Sequence, residues 1–203
     1  MMKGLTGIVV CGGRSSRMGT DKGGIRYQEQ PQYLHVAAML HPSCKEVYLS
    51  VNEQQQAAYG GSTYPLLPDH GEYRNIGPMA ALLTAARQLP DAHFLLTGCD
   101  YPLLEGQELR AFIGTLEPGL FAKAFYNTDA GMYEPMLAYY STKAAQQLLQ
   151  QGAALNYSLQ RFLKACDADR YYPVNKDSIL SVDDPGAAVL VKEKLGAGKT
   201  GPG

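Results

Sequence analysis

Residues 5–11, Leu-Thr-Gly-Ile-Val-Val-Cys, are almost continuously apolar and stop at Gly12-Gly13. A run with no polar face predicts a strand covered on both sides, as in a parallel sheet flanked by helices. Residues 31–40 then place Leu34, Ala37, Ala38 and Leu40 at helical spacing behind Pro31, a residue that suits the first turn of a helix. A second strand is predicted over 46–51. The alternation repeats with a helix over 53–59, a strand over 64–67, a helix over 78–88 and an apolar strand over 93–97 that runs into Gly98-Cys99-Asp100. Strands and helices alternating at this spacing predict a doubly wound α/β fold. Beyond residue 105 the pattern loosens: helices are expected over 105–115, 142–151, 157–164 and 184–195, and strands over 120–126 and 135–140.

With 203 residues, of which 45% are hydrophobic and 18% charged, the chain has the composition of an ordinary folded domain. A single domain is expected over 1–195, followed by a Gly-rich flexible tail at 196–203. The formal net charge is −1 and the Lys and Arg residues are scattered, which excludes the basic stripe that a nucleic-acid partner requires. The apolar runs are too short to span a bilayer, and no signal segment opens the chain, so a cytoplasmic location and no membrane partner are expected. Cys11, Cys44, Cys99 and Cys166 form no C-x-x-C pair and read as reduced, mostly buried thiols.

The chemistry concentrates directly behind the first strand, in Gly12-Gly13-Arg14-Ser15-Ser16-Arg17-Met18-Gly19-Thr20-Asp21-Lys22. In an open α/β sheet, ligands bind at the carboxyl ends of strands. Glycines allow backbone N–H groups to approach an anion, Ser15 and Ser16 can donate hydrogen bonds, and Arg17 and Lys22 can neutralise a triphosphate. This segment therefore reads as a phosphate cradle. It is neither a dinucleotide-binding G-x-G-x-x-G nor a Walker motif. The Gly198-Lys199-Thr200 near the C-terminus is not a P-loop either, because Glu193 stands where that motif needs its first glycine. His35, His41, His70 and His93 fall in helix, turn or strand contexts that suit structural roles.

The segment resembles the L-A-G-G-x-S-x-R-M-G-x-D-K signature of the molybdenum cofactor guanylyltransferases, with Val10 and Cys11 in place of Leu-Ala. Further matches follow in order: Ser50-Val51-Asn52, Pro68-Asp69, Gly77-Pro78-Met79-Ala80 and Gly98-Cys99-Asp100-Tyr101-Pro102. The resemblance covers essentially the whole chain and is strongest through Pro102. It implies a three-layer α/β/α fold with a mostly parallel sheet, of the Rossmann-like, nucleotide-diphospho-sugar-transferase-like kind. Residues 1–104 would form the nucleotide-binding half and 105–195 the acceptor-binding half.

The implied reaction is transfer of GMP from GTP to the terminal phosphate of molybdopterin or molybdenum-molybdopterin, with release of pyrophosphate. Cytidylyl transfer to the same cofactor, or nucleotidyl transfer to another phosphorylated small molecule such as a sugar phosphate, is the alternative. Other cofactor-biosynthesis proteins are implied as partners. Residue by residue, the resemblance places Val10, Cys11, Gly12, Gly13 and Ser15 against the nucleotide. Lys22 and Arg17 would act on its phosphates, and Ser50, Asn52 and Asp69 would lie near the nucleotide. A carboxylate such as Asp69 can accept from guanine N1–H and N2–H₂ together, or instead orient the loop 69–77.

Asp100, held at the end of an apolar strand, is expected to ligate Mg²⁺, which takes one or two carboxylates with phosphate oxygens and water. The family's later Asn-x-Asn-Thr-Pro segment aligns with Ser181-Val182-Asp183-Asp184-Pro185, so Asp183 is the expected second metal ligand and Asp184 the cap of the closing helix. Ala81 stands where the family has Gly, beside the expected base. Cys11-Gly12-Gly13, in place of the Ala-Ala-Gly typical of the cytidylyl enzymes, favours GTP over CTP. Tyr133, Asn156 and Arg161 are candidates for holding the acceptor, with ordinary helix and strand surface an equal alternative. The attacking phosphate monoester is anionic at neutral pH, since its second pKa is about 6, so no general base is required.

Overall fold

The computed structural model describes residues 4–11, 22–74, 76–182 and 185–197. Its centre is β1 (Leu5–Val10), buried along its entire length as the unbroken apolar run demands. Around it lie β2 (Glu46–Val51), β3 (Leu66–Pro68), β4 (His93–Gly98), β5 (Ala122–Asn127), β6 (Met132–Tyr140) and β7 (Asp169–Tyr171). They form one seven-stranded sheet in the order β3-β2-β1-β4-β6-β5-β7. β6 is antiparallel to both β4 and β5, while the other paired neighbours are parallel. The expected mostly parallel α/β architecture is therefore present. β7, three residues long, was not foreseen, because Asp169 and Arg170 carry no apolar alternation.

The helices are α1 (Gln32–Leu40), α2 (Glu53–Ala58), α3 (Met79–Gln88), α4 (Gly106–Gly114), α5 (Thr142–Gln151), α6 (Leu159–Ala165) and α7 (Pro185–Ala197). α1 packs on α4 and α3 on α5, clothing the sheet with helices. α3 buries Met79 through Ala86 without interruption, and its four alanines allow close approach to the strands beneath. At Gly7 an added Cβ would press on Cys44 Sγ at 3.2 Å and Leu40 at 3.3 Å, so the missing side chain lets α1 lie close to β1. α7 runs two residues into the segment expected to be flexible; residues 198–203 of that segment lie outside the described residues.

The β5–β6 pair changes register between Ala124 and Phe125: Ala124 faces Ala138, but Phe125 faces Glu134. Pro135 lies in the skipped stretch and has no N–H to donate to a ladder, which accounts for the break. The shift aims Glu134 at the carboxyl edge of the sheet. There Tyr101 Oη donates to Glu134 Oε2 at 2.9 Å, joining the turn after β4 to β6.

Gln32, at the start of α1, is 1% exposed, and neither its side-chain nitrogen nor its side-chain oxygen has a hydrogen-bond partner among the described residues. Leaving such groups buried and unpaired costs about 1–3 kcal/mol. Gln32→Met, similar in shape and free of that cost, is expected to raise stability by about 1–2 kcal/mol. A urea or thermal unfolding curve with no gain would show that the amide finds a partner in solution.

Candidate functional site

The four parallel strands β3-β2-β1-β4 end side by side, and the first residues beyond them carry the candidate chemistry. Backbone hydrogen bonds knit this edge. The Cys11 amide donates to the Ser50 carbonyl at 3.1 Å, the Asp69 amide to the Val51 carbonyl at 3.0 Å and the Cys99 amide to the Val10 carbonyl at 3.3 Å. Val10, Cys11, Ser50, Asn52, Asp69 and Asp100 are thus brought to one edge. Ser50 is 2% exposed, and its carbonyl is spent on holding Cys11. Gly12, Gly13, Ser15, Arg17 and Asp183 lie outside the described residues. Lys22 opens a short 3₁₀ turn, Lys22–Gly24.

Asp100 leaves β4 in a turn that is held from the far end of the chain. The Val182 amide donates to the Asp100 carbonyl at 2.8 Å, and Ser181 Oγ donates to Asp100 Oδ2 at 3.3 Å. The segment aligned with the expected second metal ligand therefore reaches the first one. Gly98, two residues earlier, is constrained by the same carboxylate. A Cβ there would collide with Asp100 Oδ1 and crowd the Met136 side chain at 3.1 Å. Tyr27, just beyond the Lys22 turn, feels this site: burial first, then the Asp100 charge, raise its pKa above the ordinary phenol value. Tyr27 also lines a cavity of about 760 Å³ with Leu103, Glu105, Asn175, Asp177 and Lys194.

Asp69 is half-buried at the end of β3, and burial pushes its carboxyl from 3.8 up to about 6. The next amide, of His70, donates to Thr84 Oγ1 at 3.0 Å, tying this turn to α3. Asn52 caps α2. Its Oδ1 accepts from the Gln55 amide at 2.9 Å while Gln55 Oε1 accepts from the Asn52 amide at 3.2 Å, a reciprocal cap on α2. Gln55 was not singled out from the sequence, although Asn52-Glu53-Gln54-Gln55 carries the spacing of such a box. Gln55 Nε2 also donates to the Cys11 carbonyl at 2.9 Å, so the cap reaches the residue that follows β1.

Of the acceptor candidates, Tyr133 is 3% exposed and donates its hydroxyl to the Ala168 carbonyl at 2.7 Å, the arrangement of a structural ring. Asn156, at φ 50°, is exposed in the turn before α6, and Arg161 is exposed on α6. The histidines have structural surroundings. His70 caps a short turn by accepting from the Glu72 amide at 3.3 Å, His93 lies 3.0 Å from Tyr139 Oη, His35 lies 3.2 Å from Gln28 Nε2, and His41 packs edge-on to Tyr64. Among the described residues no three His, Cys, Asp or Glu side chains cluster as a metal cage, and no helix is long and apolar enough to cross a membrane.

The fold is shared with the molybdopterin-guanine dinucleotide biosynthesis protein A of Archaeoglobus fulgidus, at TM-score 0.74 and 19% identity over 95% of this chain and 99% of that one. The molybdenum cofactor guanylyltransferase of Serratia proteamaculans is 32% identical over 174 residues, 83% of each protein. The molybdenum cofactor biosynthesis bifunctional protein of Synechocystis sp. is 30% identical over 182 residues, 89% of this chain, which spans about half (52%) of that relative's length. Residues 7–171 match the family described as the MobA-like NTP transferase domain, well over half the chain, and the chain belongs to that family.

Proposed function

We propose that this protein transfers GMP from GTP to the terminal phosphate of molybdopterin or its molybdenum-bearing form, in the cytoplasm. The observation that supports the reading is that Cys11, Asp69 and Asp100 stand at one sheet edge, with Gly23 beside Cys11 and Ser181 against Asp100. The relatives' names point to the same chemistry. In the reaction an acceptor phosphate oxygen forms a bond to the α-phosphorus of GTP, the bond from that phosphorus to the α–β bridging oxygen breaks, and pyrophosphate leaves. Arg17 and Lys22 offset the charge of the two anions as they meet. The acceptor would enter from the side of Tyr27 and the cavity it lines, whose size suits a small ligand.

The donor set at Asp100 fits Mg²⁺. It offers a carboxylate with a hydroxyl beside it, hard oxygen ligands to which phosphate oxygens and water can add. Asp100 would hold the ion, with Ser181 or Asp183 as the second protein ligand. When bound, the ion supplies electrostatic stabilisation of phosphate charge.

Asp69 would read the base. An ionised carboxylate accepts two N–H groups from guanine, whereas cytosine offers no such pair. A carboxyl with a raised folded pKa binds its proton more tightly in the native than in the unfolded state, so stability falls as pH rises from about 4 to about 6. Asp69→Asn is expected to flatten that slope in the free protein and to erase the preference for GTP at pH 7.5. In the unaltered protein GTP affinity should fall as pH drops below about 6. Calorimetric titrations at pH 5, 6 and 7.5 check this; a GTP preference intact in Asp69→Asn removes Asp69 from the base site.

The assignment as a whole is tested by thermal shift with GTP, CTP, ATP and UTP, each with and without Mg²⁺. At a hundredfold excess over Kd, binding adds about 2.7 kcal/mol, a rise of about 5–10 °C for a chain of this size. GTP with Mg²⁺ is expected to give the largest rise. A larger rise with CTP moves the protein to cytidylyl transfer, and no rise with any nucleotide removes the enzyme reading.

A further inference from the structure

α2 is an unusual helix for its place beside a sheet. Glu53, Gln54, Gln56, Ala57 and Ala58 are all exposed, and the side chains it buries are Gln55, at 7% exposure, and Tyr59 at its C-cap, at 4%. These lie one turn apart and so share a face. An amphipathic helix seated only for packing would bury apolar residues there. Gln55 instead spends its amide nitrogen on the Cys11 carbonyl at 2.9 Å, the last described residue before the cradle segment. Its amide oxygen is fixed by the Asn52 amide, so the nitrogen cannot turn away. The peptide group carrying the Cys11 carbonyl is planar, and this bond therefore sets the plane in which the chain leaves β1.

Tyr59 meets the other flank. An added Cβ on Gly23 would collide with Tyr59 Oη, and the same Cβ would stand 3.6 Å from Cys11 Cβ. The Tyr59 ring is stacked on Tyr33 of α1, centroids 4.1 Å apart and planes 15° from parallel, which holds the hydroxyl in place. The Gln32 backbone N–H donates to the Ile25 carbonyl at 2.9 Å and fastens the same stretch to the start of α1. Cys11 and Gly23, twelve positions apart in sequence, are thus kept adjacent by one short helix.

We propose that α2 is a two-point brace for the nucleotide cradle. Gln55 and Tyr59 are positioning residues that act through Cys11 and Gly23, and through them on the placement of Lys22, without touching the nucleotide. This rests on the reading of residues 12–22 as the triphosphate-binding segment. It explains why a buried glutamine and a glycine with no left-handed backbone requirement stand at positions 55 and 23.

The decisive test is a rescue. Gly23→Ala introduces the methyl group that meets Tyr59 Oη, and removing that hydroxyl leaves the next ring atom, Cζ, at an ordinary 3.5 Å. Gly23→Ala is expected to raise the Kd for GTP with Mg²⁺, and the KM, by about tenfold with a smaller change in kcat. Adding Tyr59→Phe should return Kd to within about threefold of Tyr59→Phe alone. Gln55→Leu, which keeps the bulk and loses the bond to Cys11, should also raise Kd by about tenfold. Melting curves without nucleotide separate this effect from loss of fold. Unchanged Kd in Gly23→Ala, or failure of Tyr59→Phe to restore it, overturns the brace. Absence of nucleotide binding by the unaltered protein overturns instead the reading on which the brace rests.

Discussion

Asp100→Asn is expected to slow pyrophosphate release on the order of a thousandfold, equivalent to about 4 kcal/mol of transition-state stabilisation. The substitution keeps the shape of the side chain, and an amide oxygen can still accept from Ser181 Oγ. The Val182 amide still finds the Asp100 carbonyl, so the connection from the end of the chain stays in place. What is lost is the negative charge, the property a hard cation needs from its protein ligand. The melting temperature without nucleotide should move by no more than about 2 °C, since the contacts from Ser181 and Val182 are kept. Mn²⁺ affinity in the presence of GTP, followed by the ion's electron paramagnetic resonance, should fall together with the rate. Turnover within tenfold of the unaltered protein would take the metal role away from Asp100.

A second large effect is expected far from the nucleotide. Glu108 on α4 is 7% exposed, and its carboxylate accepts three hydrogen bonds: from Tyr171 Oη at 2.7 Å, from the Val174 amide at 3.1 Å and from the Asn175 amide at 3.1 Å. Burial first, and then this partnership, raise the Tyr171 pKa. Glu108→Ala leaves three donors without their acceptor and opens a void, for an expected loss of about 3–5 kcal/mol. That corresponds to a melting temperature lower by roughly 10 °C. Glu108→Gln keeps an acceptor oxygen and should cost about half as much. The chain continues from Asn175 through the 3₁₀ turn Lys176–Ile179 to Ser181, so the alanine variant should also weaken the hold on Asp100. A loss below 1 kcal/mol by denaturant titration would mean that water takes over all three donors.

Much of this protein is written in local pattern. The unbroken apolar character of β1, and the apolar run of β4 leading to Asp100, identify buried strands and place their first polar residues at a ligand-binding edge. The glycines, hydroxyls and cations of residues 12–22 carry the expectation of phosphate chemistry without reference to any partner. Asn52 shows where that reasoning stops. Its position after β2 puts it at the site, but whether its side chain faces a ligand or caps α2 depends on Gln55 and on the Cys11 carbonyl 44 residues before it. Tyr133 is similar: an aromatic beside Glu134 looks available for stacking until the backbone of Ala168 takes its hydroxyl.

The sequence by itself determined the succession of strands and helices, the α/β class, and the residue types gathered at the strand ends, because side-chain periodicity and turn chemistry act over a few neighbours. Only the tertiary structure decided that β6 inserts antiparallel between β4 and β5, that Ser181 lies against Asp100 across 81 positions, and that Gln55 meets Cys11 while Tyr59 meets Gly23. Such pairings are set by the closing of one shared core, in which each contact is favourable only once all the others are made.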